Sequence, residues 1–299
     1  MLYAKKNKTM KIIVSFFLFL TVIASIQSAE PTNLKLHWSN NILTISGHHL
    51  PGKEIKIHYL EAYCRANSHT TDWANHTVIK HKTKLVSLNE NKTKLILLCN
   101  ISDGVTVEHL ITSTHDEIDF NLTAYNPTKK KSEAHWAQPC IRVGKFTGTA
   151  TNTTKDKYAY IKKSFVYLDG KQTMMPTQEW ATEARYIPGQ VWVGPGVPRT
   201  DVNPRPQHPS TTSNGLIGCY SADNSMIFAT AFEPYQELFQ GVIRCLHSDF
   251  RLGGLKPKEK LNIRGKIYIV KNDENLLLNR YQKDFPSHNK LHLKKNTES

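Results

Sequence analysis

From Asn33 onward, apolar and polar residues alternate in short runs, the period of a strand with one covered face. The runs include LKLHW (34–38), ILTISG (42–47), EIKIHYLEAYC (54–64), TKLVSL (83–88), TKLILLCN (93–100), VTVEHLI (105–111), EIDFNLTAY (117–125) and HWAQPCIRV (135–143). The pattern resumes in YAYIKKSFVYLDG (158–170), QVWVG (190–194), GLIGCYS (215–221), MIFATAF (226–232), GVIRCLHS (241–248) and NIRGKIYIV (262–270). Turn-forming clusters separate many of these runs: PGK at 51, NEN at 89, SDG at 102, NPTKKK at 126 and LDGK at 168. So many short strands at this spacing predict an all-β antiparallel sandwich or barrel. Helical spacing is confined to DENLLLNRYQKDF (273–285), with a second short candidate in EPYQELFQGV (233–242).

The stretch 187–215 breaks the pattern. It is dense in Pro and Gly and long for a connection, and long ordered loops in compact domains usually carry function. Trp192, Asn203 and Arg205 lie on it and are expected at the rim of a cleft, the alternative being a surface flap.

The N-terminus reads as an address. Four lysines (Lys5, Lys6, Lys8, Lys11) flank or precede a run from Ile12 to Ala24, and small residues follow up to Ala29. This is the arrangement of a secretory signal peptide, and the run is too short for the ~20 residues of a membrane span. The expectation is a leader over 1–29, one β domain over 30–286 and a basic tail over 287–299, in a secreted or periplasmic protein without stable membrane insertion. Removing the leader's four lysines would lower the net charge from +14 to +10. A basic balance suits an anionic glycan, and export argues against nucleic acid.

The candidate chemistry lies first in AHWAQPCIRVGKFTG (134–148), where a histidine, a tryptophan, a glutamine and an arginine enter one strand. Histidine suits proton transfer because its ordinary pKa of ~6.5 lies near working pH. His135 and His247 are the acid/base candidates. Asp249, two residues beyond His247, would share its strand face and orient it. Trp136 and Trp192 could stack on sugar faces, although packing is the commoner fate of a sandwich tryptophan. Arg142 and Arg205 could grip carboxylate or paired hydroxyls. Gln138, Arg65, His81 and Asn203 complete the expected binding set.

The five cysteines (64, 99, 140, 219, 245) show no CxxC spacing, and three lie in apolar runs, as buried strand cysteines do. There is no HExxH, no phosphate loop and no GxSxG elbow, so no metal or cofactor is expected. No base is indicated for Cys140, which argues against a thiol nucleophile.

Three motifs in order carry a resemblance. DEIDFNLTAYNPTKKKSEAHWAQPCIRVGKFTG (116–148), FVYLDGKQTMMPTQEW (165–180) and VIRCLHSDFRLGGLKPKEKLNIRGKIYIV (242–270) resemble, in sequence and spacing, the galactose-mutarotase-like superfamily of aldose epimerase-type proteins. The resemblance implies an antiparallel β-supersandwich with its site on a concave sheet face and a sugar or oligosaccharide as ligand. Departures from the pattern are specific. Gln178 stands where glycine is usual, and the family's glutamate base would fall on His247. The early Asn-Arg and Leu-His-Gly-Gly motifs are missing, and His135 lacks the usual sequel. These changes point away from mutarotation itself. They leave open acid/base chemistry of isomerase, lyase or hydrolase type, glycan binding without catalysis, or a structural envelope role.

Overall fold

In the computed structural model the described residues are 32–176, 190–241 and 243–288. The expected leader, Gln178 and most of the basic tail lie outside them.

Alternation does produce strands along the chain. The first half holds β1 (Lys35–Ser39), β2 (Ile42–Ser46), β3 (Glu54–Cys64), β4 (Val78–Ile79), β5 (His81–Leu88), β6 (Lys94–Ile101), β7 (Thr106–Ser113), β8 (Glu117–Tyr125) and β9 (Trp136–Arg142). The second half holds β10 (Ser164–Leu168), β11 (Lys171–Met174), β12 (Val191–Val193), β13 (Ile217–Tyr220), β14 (Met226–Glu233), β15 (Tyr235–Gln240), β16 (Cys245–Arg251) and β17 (Lys260–Lys271). One α-helix follows, α1 (Glu274–Asp284), where the spacing predicted it. Asp273 caps it by accepting from the Leu276 N–H.

Two antiparallel sheets result. The first runs β1-β2-β3-β9-β16-β15-β12, with β4 on β3; the second runs β11-β10-β13-β14-β17-β8-β7-β6-β5. The fold is all-β with a short C-terminal helix, as the pattern predicts. The main core lies between the sheets. Leu43, Ile45 and Ile57 of the first meet Leu97, Val107 and Phe120 of the second, all essentially inaccessible to water. Helix α1 covers the other face of the second sheet, setting Leu277, Tyr281 and Phe285 against Phe165, Tyr167, Ala229 and Tyr268. His288 belongs to this layer too. Its ring stacks on Phe285 at 5.3 Å between centroids, so the start of the expected tail is packed rather than free. No helix among the described residues is long and apolar enough to cross a membrane.

The second helix candidate is overturned: 235–240 is strand β15. A bulge between Tyr235 and Glu237 shifts its register. That bulge puts Tyr235 and Leu238, three apart, into the same inter-sheet core. A strand thereby acquires the spacing of a helix.

Candidate functional site

The outer face of the first sheet carries the chemistry. In β16 the even-numbered Leu246 and Phe250 enter the core, so Cys245, His247, Asp249 and Arg251 face outward. In β9 Ala137 and Ile141 face inward, which turns Trp136, Gln138, Cys140 and Arg142 to the same outer side. The register that pairs Leu246 with Ile141 sets Cys140 across from His247.

Two segments wall this face. Residues 65–77 end in a short turn, Trp73–Thr77, whose Asn75 N–H is accepted by Asp72. The Pro-rich segment docks beside it. The Asn67 N–H donates to Asp201 at 2.9 Å, and the Arg251 guanidinium meets the same carboxylate at 3.2 Å. Between them opens a pocket of about 150 Å³, lined by Glu61, Trp73, Gln138, Cys140, Pro204, Phe239, Gly241, Ile243, Cys245 and His247.

His247 sits at the pocket floor, 3 % exposed. Its Nδ1 lies 3.3 Å from Asp249 Oδ1, and its Nε2 3.3 Å from Cys245 Sγ. The ring stacks on Phe239, with centroids 4.2 Å apart and planes 8° from parallel. Burial opposes its protonated form, but hydrogen bonds to Asp249 and Cys140 outweigh it, and the imidazole pKa is raised to about 10. Burial pushes the Asp249 carboxyl up to about 6, with His247 pulling against the rise. Glu237 faces Asp249 across the ladder. Burial first, and then the Asp249 charge, raise its pKa far above the carboxylate range, so it is held protonated. The Cys140 thiol is pushed up by its neighbour Cys245 and by burial.

Of the expected residues, the structure brings His247, Asp249 and Gln138 to the pocket or directly behind it. His135 is not with them. It precedes β9 by one residue, five positions from Cys140, or about 16 Å at ~3.3 Å per residue. Its Nδ1 lies 3.8 Å from Asp201, and burial lowers its pKa. The expected His135–His247 convergence therefore fails, because both lie along one ladder rather than across a hollow.

Trp136 is fully buried with Ala62 and Cys64 under Trp73, its ring 6.1 Å from that of Trp73. Trp192 points into the inter-sheet core and stacks on His208 at 5.6 Å. Asn203 is buried too; its amide donates to Ser68 O, stapling the Pro-rich segment to residues 65–77. Arg65 is engaged by Glu133 at 2.9 Å and by the His76 carbonyl at 2.7 Å. His81 packs edge-on against Tyr63, whose ring belongs to the core between the sheets. Arg142 is exposed beyond the pocket, and Arg205 is half-buried next to Pro204.

Sequence reasoning missed Glu61, Trp73, Phe239, Cys140 and Cys245. Cys-x-His-x-Asp over 245–249 was the available signal, since alternate strand positions share a face. Clustering across two strands, rather than ligand spacing in the sequence, also joins Cys140, Cys245 and His247.

The molecule is thus a two-sheet β-sandwich with a histidine–carboxylate pocket on one outer sheet face. No protein-family model and no curated protein matches the chain. Among solved structures it is similar to a galactose mutarotase-like protein from Lactobacillus casei, at 8 % identity and TM-score 0.43, covering 79 % of this chain and 99 % of that one. It is also similar to a galactose mutarotase related enzyme from Lactobacillus acidophilus, at 8 % identity and TM-score 0.39, covering 81 % and 98 %.

Proposed function

We propose that the protein is an exported, carbohydrate-active enzyme that moves protons in the Glu61–His247 pocket. The observation that carries this reading is His247 fixed by Asp249 at 3.3 Å on the floor of a pocket that also holds a half-buried carboxylate, Glu61. A raised pKa makes His247 the donor. It gives the Nε2 proton to a sugar oxygen while Glu61 accepts a proton from hydroxyl or carbon. Trp73 supplies an apolar face of the kind pyranose rings stack on, and Gln138 a polar anchor. The pocket's about 150 Å³ is small beside the ~300–1,000 Å³ of drug-sized ligand sites. The substrate is therefore a single ring or the end of a chain. The basic balance favours acidic sugars within that class.

The test is a proton-exchange and isomerisation screen by NMR over neutral and acidic monosaccharides, with wild type, His247→Gln and Glu61→Gln side by side. Each substitution should lower turnover by roughly 10²–10⁴-fold. Turnover unchanged in both refutes the assignment. Sugar binding without turnover in wild type would instead make the protein a glycan-binding module. Export is checked separately, by N-terminal sequencing of the mature protein, which should begin near residue 30.

A further inference from the structure

We infer that Cys140, Cys245 and His247 form a binding site for a thiolate-seeking divalent cation of the zinc type, with its fourth position open to the pocket. Five observations converge on it.

The three ligand atoms all lie within 4.8 Å of one another. Cys245 Sγ and His247 Nε2 are 3.3 Å apart, near the roughly 3.6 Å that two such donors span around a shared tetrahedral zinc. All three donors stand on the paired strands β9 and β16, so the sheet rather than a loop sets their separation. Behind the histidine, Asp249 holds Nδ1 at 3.3 Å, the carboxylate–histidine arrangement that fixes the ring of a ligating imidazole with Nε2 free for metal. The same three residues line the pocket, which leaves a side for water or substrate, as in sites with three protein ligands.

The fifth observation is Gly241. Its backbone conformation is one any residue adopts, yet a Cβ there would lie 2.5 Å from Cys245 Sγ and 3.1 Å from His247 Nε2. Glycine keeps open the space beside two of the donors.

Charge and protons balance. One M²⁺ enters and three protons leave, two from the thiols and one from Nε2 of the imidazolium, so the ring binds neutral with its Nδ1–H on Asp249. Two thiolates and a divalent ion sum to zero, which suits donors so deeply buried. The site shares the pocket with the sugar reading but does not rest on it. Metal and proton compete for Nε2, so loading would stop the proton transfer proposed above.

The test uses the reduced full-length mature protein titrated anaerobically with Co²⁺, followed by displacement with Zn²⁺. A one-to-one complex with a thiolate-to-cobalt charge-transfer band and tetrahedral d–d bands is expected. Cys140→Ser should roughly halve the charge-transfer intensity, and Gly241→Ala should weaken binding without removing a donor. Asp249→Asn should cost about 10–100-fold in affinity. Cys219→Ala, on the other sheet, serves as the control that keeps the spectrum. Because wild type alone gives the decisive reading, a variant that fails to fold costs nothing. Absence of a charge-transfer band in wild type overturns the proposal. So does a mass 2 Da low in the protein purified without reductant, with Cys140 and Cys245 resistant to alkylation, which would show the pair to be a disulfide instead. Neither outcome bears on sugar turnover by the metal-free protein, so the two readings fail separately.

Discussion

His109 shows what a single buried polar side chain does in this sandwich. It lies between the sheets, where Tyr59 Oη sits 2.8 Å from its Nδ1 and Tyr63 Oη 3.3 Å from its Nε2. Burial lowers its pKa to about 3, so it stays neutral in the folded protein while the unfolded chain titrates near 6.5. Between those values the unfolded state binds the extra proton, and stability falls as pH falls, by at most about 1.4 kcal/mol per pH unit. Urea midpoints of His109→Gln should therefore change less than those of wild type between pH 6.5 and 4; equal slopes would contradict the assignment. Glu237 has the opposite sign. It is held protonated when folded, so stability is lost as pH rises above the unfolded value of ~4.3. Glu237→Gln keeps the shape and removes the titration, and thermal melts should show it stabilised at pH 8 more than at pH 5. Alternation in the sequence told which residues share a face, and so tied Asp249 to His247. It did not tell which face looks inward. That is why Trp192, expected at the ligand, turns out to pack between the sheets, whereas Trp136 shares the pocket's face but is covered by Trp73.

At the scale of elements, most strands were legible because one covered face imposes a period of two. Strand β15 was not, because its bulge hides that period. The Pro-rich segment was legible as unusual, but its attachment was not, since Asp201 meets Arg251 across 50 positions of chain. Asp201→Ala should free the segment and leave Arg251 with Gln236 but no carboxylate partner, seen as faster limited proteolysis at 194–208 with the sandwich still folded. Proteolysis at the wild-type rate would mean the apolar contacts of Val197 and Val202 suffice. On the second sheet, Gly265 faces Phe232 across the β14–β17 ladder, and a Cβ there would come within 2.1 Å of the phenyl ring. Gly265→Ala is expected to cost about 1–3 kcal/mol by overpacking, measured by chemical denaturation.

For the molecule as a whole, the covering layers separate two tasks. The helix seals one sheet through Tyr281, whose hydroxyl accepts from the Gly215 N–H at 2.8 Å, and loops shape the other sheet into a pocket. Tyr281→Ala should cost ~3–5 kcal/mol, as for other large buried aromatics, yet leave the pocket chemistry of the folded fraction intact. The candidate site was only partly legible because its members come from β3, β9, β15, β16 and three loops, and pairing across strands is not written in local spacing.

Cys245, His247 and Asp249 also occupy successive outward positions of one β-strand, and this constrains how such a protein can change. Loops around them tolerate insertion, but a single residue gained or lost between Gln240 and Cys245 could slip β16 by one step. That slip would bury all three side chains in hydrocarbon and present Leu246, Ser248 and Phe250 to the solvent side instead. Variation in this lineage should therefore favour substitutions over length changes in that hairpin, and a redesign of the pocket should leave its residue count alone.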